Sequence, residues 1–135
     1  MKSVIAAIAG LIVAFIVVGG ITAISHVVYP PPPGINMEKP ETICEHIHEI
    51  EMMSMVFVIF AHFVGILAGN LVARLITKGN KAPGLAIGGL MIVATIVNLF
   101  MIPCHPTWFM VADIITVLVA ALIGMKIAGK KKVQS

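Results

Sequence analysis

Four long runs of apolar residues constrain this chain more than any other feature of its sequence. A transmembrane helix needs roughly 20 mainly apolar residues to cross the bilayer core, and four segments reach that length, at about 4–28, 52–76, 84–103 and 107–127. Only 11% of the residues are charged, against about 25% in a typical soluble domain, and the mean hydropathy is +1.07. The sequence therefore predicts an all-α polytopic membrane protein, a single four-helix transmembrane bundle over residues 1–135.

The first apolar run follows Lys2 and could be mistaken for a signal peptide. The apolar region of a signal peptide spans about 7 to 15 residues, whereas the run SVIAAIAGLIVAFIVVGGITAISHVV is longer. We therefore expect it to be retained as the first span.

The positions of the basic residues predict the orientation of the spans, because cytoplasmic loops carry an excess of Lys and Arg. Lys39 stands alone on one side of the membrane. The other basic residues flank the opposite side: Lys2, Arg74, Lys78, Lys81, Lys126, Lys130, Lys131 and Lys132. We therefore expect both termini to be cytoplasmic and the loop 29–51 to be extracytoplasmic. The net charge of +3 lies beside the membrane, so it favours contact with anionic lipid headgroups over nucleic acid.

The outer loop is predicted to contain a short amphipathic helix. Four prolines at 30–33 favour an extended polyproline II segment. Thr42 and Glu45 then have the T-x-x-E spacing of a capping box, which marks the start of a helix. Isoleucines at helical spacing continue the pattern: Ile43, Ile47 and Ile50. We expect this helix to begin at Thr42 and to run into the second span, either continuously to Ile76 or with a bend near EMMSM.

The two cysteines, Cys44 and Cys104, both fall on the predicted outer side, where an oxidising compartment would permit a disulfide. Such a bond would tie the short helix to the turn PCHPT between the third and fourth spans. Free thiols are the alternative, because the sequence does not show whether the Cα atoms come within about 7 Å.

A metal site is the competing use of the same region. Its candidate ligands for zinc or copper are Cys44, Glu45, His48 and His105. Three methionines could also offer soft ligands to copper(I), although methionine is more often a core packer: Met52, Met53 and Met55. The chain has neither an H-E-x-x-H nor a C-x-x-C motif. We therefore favour a solvated acidic helix face and expect no resident cofactor.

Three polar residues fall in the outer half or at the midplane of the predicted spans: His62, Asn98 and Asp113. Small residues share two of their helix faces: Gly65, Gly69 and Ala73 with His62, and Thr116, Ala120 and Gly124 with Asp113. Small residues mark helix contacts, and an ionised carboxylate facing lipid is costly. We therefore predict that Asp113 faces the bundle and meets His62 or Asn98. The group would form either a hydrophilic site that opens outward or a structural hydrogen-bond knot.

Several stretches carry a resemblance to known proteins: YPPPPGIN, AHFVGILAGNLVAR, NLFMIPCHPTWF and the helix of Asp113. Together they resemble an uncharacterised family of small four-helix bacterial inner-membrane proteins. The resemblance covers most of the chain and implies four spans in a bacterial inner membrane. It implies no activity, and CEHIHEIE is not part of the shared pattern.

Three classes of function remain open from the sequence. An accessory or scaffolding subunit would associate with other membrane proteins, or with a second copy, through small-residue helix faces. A transporter or channel would oligomerise and use the polar site of His62, Asn98 and Asp113. An enzyme would need a motif that the chain lacks, such as a nucleotide loop, G-x-S-x-G or a haem attachment site. We therefore expect a non-catalytic protein and favour the accessory role.

Overall fold

Four long helices and one short helix make up the fold. The computed structural model describes residues 1–130. The helices follow in chain order: α1 (Lys2–Val28), α2 (Pro40–Glu45), α3 (Met52–Thr77), α4 (Ala82–Met101) and α5 (Thr107–Ala128). The four long helices are each long and apolar enough to cross a membrane, which confirms the predicted all-α four-helix bundle. Lys131 and Lys132, which contributed to the orientation argument, lie outside the described residues.

The helices are arranged so that α3 lies between α1 and α5, and α4 packs chiefly on α5. Glycine sets the distance between α1 and α3. A Cβ atom on Gly10 would lie 2.6 Å from the carbonyl oxygen of Gly69, and one on Gly65 would lie 2.9 Å from that of Ala14. Both values are shorter than real Cβ contacts allow. The two helix backbones can therefore approach this closely only where the side chain is absent.

The contact between α4 and α5 is built in the same way. A Cβ atom on Gly88 would lie 2.9 Å from the Cβ of Ala121, and one on Gly84 would lie 2.9 Å from the Cβ of Ala128. The two G-x-x-x-G sequences, at 65–69 and 84–88, therefore pack against helices of the same chain. Beside this contact, Gly84, Gly88 and Gly89 line an open apolar groove of about 330 Å³ between α4 and α5.

The short helix α2 begins earlier than the sequence pattern indicates. Its N-cap is Lys39, and Pro40 occupies the first helical turn, where a missing N–H costs nothing and the fixed φ suits a helix. The Thr42 hydroxyl instead lies 2.9 Å from the carbonyl oxygens of Asn36 and Lys39 and accepts a hydrogen bond from the Asn36 amide. The predicted capping box of Thr42 and Glu45 is therefore wrong, because Thr42 closes the preceding turn.

The predicted helix from Thr42 to Ile76 is broken. After α2 the chain forms a 3₁₀ turn (Ile47–Glu49), and Ile50 is extended, with φ −75° and ψ 128°, before α3 begins at Met52. The isoleucine stripe explains the break, since Ile43 and Ile47 are only 5% and 8% exposed. Burying these side chains lays the segment across the end of the bundle, whereas a continuous helix would project them into solvent.

The two ends of the bundle differ in chemistry, and we name them accordingly. The disulfide end holds the end of α1, residues 29–51, the start of α3 and the turn 102–106. The basic end holds the start of α1, the turn 78–81 and the end of α5.

The close approach of α1 and α3 predicts that alanine in place of two glycines of α1 will affect the stability of the bundle differently. Gly10→Ala should destabilise the bundle by about 1–3 kcal/mol, the usual cost of overpacking, because its methyl group would meet α3. Gly19→Ala is the control, since nothing lies within 4 Å of a Cβ there, and alanine should leave stability unchanged or slightly raised. Unfolding in detergent by increasing fractions of sodium dodecyl sulfate measures both. Equal stability of the two variants would contradict the packing described.

Candidate functional site

A hydrogen bond between His62 and Asp113 joins α3 to α5 inside the bundle. The His62 Nδ1 lies 2.8 Å from the Asp113 Oδ1, and the two residues are only 8% and 2% exposed. The pair lies where α3 packs on α5, whereas Gly65 and Gly69 of α3 pack against α1. The bond satisfies two polar groups that would otherwise be buried alone at high cost.

The bond to Asp113 also determines how the His62 ring is presented. With a neutral imidazole, the carboxylate accepts the Nδ1–H, and Nε2 on the far side of the ring is left as a hydrogen-bond acceptor. The carboxylate holds the ring in one orientation, as second-shell carboxylates do for ligand and catalytic histidines. His62 is therefore a fixed polar group rather than a freely rotating one.

A cavity of about 250 Å³ lies on the disulfide-end side of this pair, with His62 among its lining residues. Most of its wall is apolar, and the polar side chains that line it come from four segments, α1, α3, α4 and the turn 102–106: Thr22, His26, Ser54, His62, Asn98 and His105. Asn98 thus lines the same cavity as His62 and takes no part in the bond between His62 and Asp113. Of the three intramembrane residues predicted as a site, two form a pair and the third faces the space beside it.

His105 presents a second oriented imidazole to the cavity. Its Nδ1 donates to the carbonyl oxygen of Ile102, at 2.7 Å, and its ring stacks on Phe109 with centroids 4.8 Å apart. Burial lowers the pKa of His105, an effect that the backbone hydrogen bond and the charge of Asp113 oppose. The lowered pKa favours the neutral ring, in which Nε2 is an acceptor.

Two further cavity residues, Thr22 and His26, were not predicted from the sequence. They lie four residues apart on α1, with Val18 one further turn away on the same face. Two polar residues at helical spacing in an otherwise apolar span are a signal that could have found this face. Ser54 was missed as well, and its hydroxyl lies 3.3 Å from that of Ser25 on α1.

The disulfide joins Cys44 and Cys104, whose Cα atoms are 5.5 Å apart. It connects α2 to the turn 102–106, which also carries His105. The isoleucines beside Cys44 line the cavity, so residues 29–51 form a cover over it, which we call the cover segment. The disulfide is the covalent link that holds the cover segment on the bundle.

The structure does not assemble the candidate metal ligands. Cys44 is in the disulfide, so it has no thiolate to offer a metal, and that part of the metal hypothesis is wrong. Glu45 and His48 are exposed on the face opposite the buried isoleucines, whereas His105 lies under the cover segment. Over residues 1–130, no three His, Cys, Asp or Glu side chains lie close enough to hold a metal ion.

The three methionines proposed as soft ligands also separate. Met52 and Met53 are 64% and 46% exposed, whereas Met55 is buried in the core. Met55 packs in the apolar cluster beneath the cover segment, as expected for a methionine that fills irregular space.

The bundle is filled on the other side of the His62–Asp113 pair. The side chains buried there, toward the basic end, include Ile66, Ile87, Met91 and Val117. The cavity therefore reaches roughly to the middle of the membrane-spanning helices and ends at His62. Its lining residues lie between His62 and the disulfide end.

Comparisons with protein-family models, curated proteins and solved structures found no match to this chain. Its fold and site define the class by themselves: a small multi-pass helical membrane protein with a half-depth cavity beneath a disulfide-linked cover.

The pair predicts different effects for two substitutions of Asp113. Asp113→Leu would leave the buried Nδ1–H of His62 without an acceptor, which should cost about 1–3 kcal/mol of stability. Asp113→Asn keeps an acceptor oxygen and should cost less. Unfolding by sodium dodecyl sulfate measures the stability of both variants. If the two variants are equally stable, the hydrogen bond contributes nothing to the fold.

Proposed function

We propose that this protein is a non-catalytic membrane subunit that binds a small polar solute in the cavity at its disulfide end. The observation that carries the proposal is the cavity itself: a mostly apolar space of about 250 Å³ that ends on the oriented imidazole of His62. Binding sites for small molecules have this composition, with a few placed polar groups in an apolar wall. A purely structural hydrogen-bond knot needs no space beside it.

The polar groups of the cavity indicate the chemistry of the solute. His62 and His105 each engage Nδ1 within the protein, so each has Nε2 free to accept a hydrogen bond when neutral. Asn98 adds an amide that both donates and accepts. A solute with hydroxyl or amine donors on a compact apolar frame matches this set of groups.

An oligomeric transporter or channel is the second candidate function. The observation that favours it is the buried ionisable pair of His62 and Asp113 at membrane depth, the usual position of groups that relay protons or bind transported ions. The filled core beyond His62 argues that a single chain is not an open pore in this conformation. Transport would require the helices around Ile66 and Val117 to separate.

The small-residue faces are only partly used within the chain: Gly10 and Gly69 pack between α1 and α3, whereas Gly84 and Gly88 also line an open apolar groove of about 330 Å³ between α4 and α5. Partners, whether other membrane proteins or a second copy, would have to bind the remaining apolar outer surfaces. We propose solute binding as the primary function, because the cavity combines an apolar wall with placed polar groups. Association with partners is then a secondary property that could serve the solute site.

We propose that the basic end faces the cytoplasm, that both termini lie there, and that the cavity opens outward from a bacterial inner membrane. The excess of Lys and Arg at the basic end supports this orientation. The disulfide at the opposite end supports it independently, since disulfides persist on the oxidising side of a membrane. The bacterial assignment rests on the resemblance of the sequence alone.

The orientation predicts where Cys44 can be labelled. In intact cells carrying Cys104→Ser, which leaves Cys44 as the one free thiol, an impermeant maleimide should modify Cys44 without disruption of the cytoplasmic membrane. Lys78→Cys with the native disulfide left oxidised is the matched control and should react only after the membrane is opened. The reverse pattern would show that the cavity faces the cytoplasm.

The cavity predicts a difference in water access between two positions of α4. With both native cysteines in the disulfide, a cysteine in place of Asn98 is the single free thiol. Asn98→Cys should react quickly with a small charged methanethiosulfonate reagent. Thr95→Cys, one turn deeper and buried at 3% exposure, should react at least about tenfold more slowly, because thiolate formation and reagent access both require water.

The same labelled position tests solute binding. Solutes that occupy the cavity should slow modification of Asn98→Cys in a saturable way, and a panel graded by hydroxyl and amine content would identify the class. Asp113→Asn should keep the fold and shift the protecting concentration. If Asn98→Cys and Thr95→Cys react equally slowly, the cavity is closed to water and the proposal fails.

A further inference from the structure

Three cationic side chains converge at the basic end, far from the cavity described above. Arg74 and Lys78 lie in the last turn and at the C-cap of α3, and Lys130 lies two residues beyond the end of α5. Together with Leu75 they line a pocket of about 190 Å³. Two separate helices therefore contribute positive charge to one concave surface.

Arg74 is held in place within this pocket. Its Nε donates a hydrogen bond to the carbonyl oxygen of Lys130, at 3.1 Å. This bond uses one of the five guanidinium N–H groups and leaves the four on the two terminal nitrogens. A guanidinium oriented in this way can bind two oxygens of a phosphate at once, which a lysine ammonium does not do.

Within residues 1–130, no Asp or Glu side chain lies near enough to neutralise this charge. All five glutamates lie between residues 38 and 51, at the disulfide end, and the one aspartate is bonded to His62. The helix α3 has 26 residues and is therefore about 39 Å long at 1.5 Å per residue, so the glutamates lie too far away to screen Arg74. The described residues therefore leave this charge available to an anionic ligand.

The pocket also has an apolar side. Leu75 is 72% exposed and follows Arg74 directly, at the end of a membrane-spanning helix where the headgroup region begins. A ligand with both a phosphate and an acyl chain would contact the cations and Leu75 together. A soluble phosphate would use only the cations.

We propose that Arg74, Lys78 and Lys130 form a binding site for a phosphate group, supplied by the headgroup of an anionic phospholipid. Inorganic phosphate offers the same chemistry without the acyl chain, and the experiment below separates the two sources. The site is independent of the solute cavity, and either proposal can fail without the other.

The test is native mass spectrometry of the full chain in a neutral detergent, titrated with phosphatidylglycerol and, separately, with phosphatidylcholine of the same acyl chains. The double variant R74Q/K78Q removes two charges from the pocket. The double variant K2Q/K126Q removes two charges from the same end of the protein outside the pocket, so it has the same net charge. Circular dichroism checks that both keep the helical content of the wild type.

We expect phosphatidylglycerol to bind more tightly than phosphatidylcholine. R74Q/K78Q should weaken phosphatidylglycerol binding by about 10- to 30-fold, as expected for two juxtamembrane cations, and K2Q/K126Q should weaken it by less than about threefold. R74K should also weaken it, because it keeps the charge and loses the planar fork. Equal weakening by the two double variants, or equal affinity for the two lipids, would overturn the proposal.

Inorganic phosphate, added as a competitor, identifies the source of the phosphate group. If millimolar phosphate leaves bound phosphatidylglycerol in place, the acyl chain contributes and the lipid is the ligand. If phosphate displaces the lipid from the wild type, and K2Q/K126Q behaves in the same way, the three cations form a phosphate site whose ligand is soluble.

Discussion

A carboxylate buried among membrane-spanning helices must find a polar partner, and the organisation of this protein follows from the partner that Asp113 finds. Its hydrogen bond to His62 ties α5 to α3, and α3 is the helix on which α1 also packs. The cost of leaving either group unpaired in an apolar interior fixes the rotation of both helices about their axes. The same bond also orients the imidazole of His62 at the end of the cavity.

The two halves of the bundle are built by different means. Toward the basic end, glycine and alanine allow the helices to touch, and aliphatic side chains such as Ile66 and Val117 fill the remaining space. Toward the disulfide end, a cavity remains between the helices. Isoleucines of the cover segment line it, and the link between Cys44 and Cys104 holds that segment in place. The closely packed half at the basic end therefore supports the half that contains the cavity. The pair of His62 and Asp113 lies where the two halves meet.

Much of this arrangement could be predicted from the sequence, because the length of the apolar runs and the small-residue faces depend only on local periodicity. The spans and the inward direction of Asp113 follow from those patterns, whereas the choice between His62 and Asn98 as its partner depends on the packing of α3 against α5. The start of α2 could not be predicted from T-x-x-E, since Pro40 offers an earlier start and Thr42 bonds backward to Asn36. The break before α3 and the cavity depend on how whole helices pack, which no local pattern encodes.

Nitrogen-15 NMR of the His62 ring in lipid bilayers, with magnetisation transferred from water, tests the central claim most directly. The His62→Gln spectrum identifies the signals. The account predicts a ring protonated at Nδ1 and hydrogen-bonded there, with transfer from water to the Nε2 side and loss of the Nδ1 signature in Asp113→Leu. A His62 ring that receives no magnetisation from water would contradict the open cavity. An Nδ1 signal that is the same in Asp113→Leu would contradict the hydrogen bond.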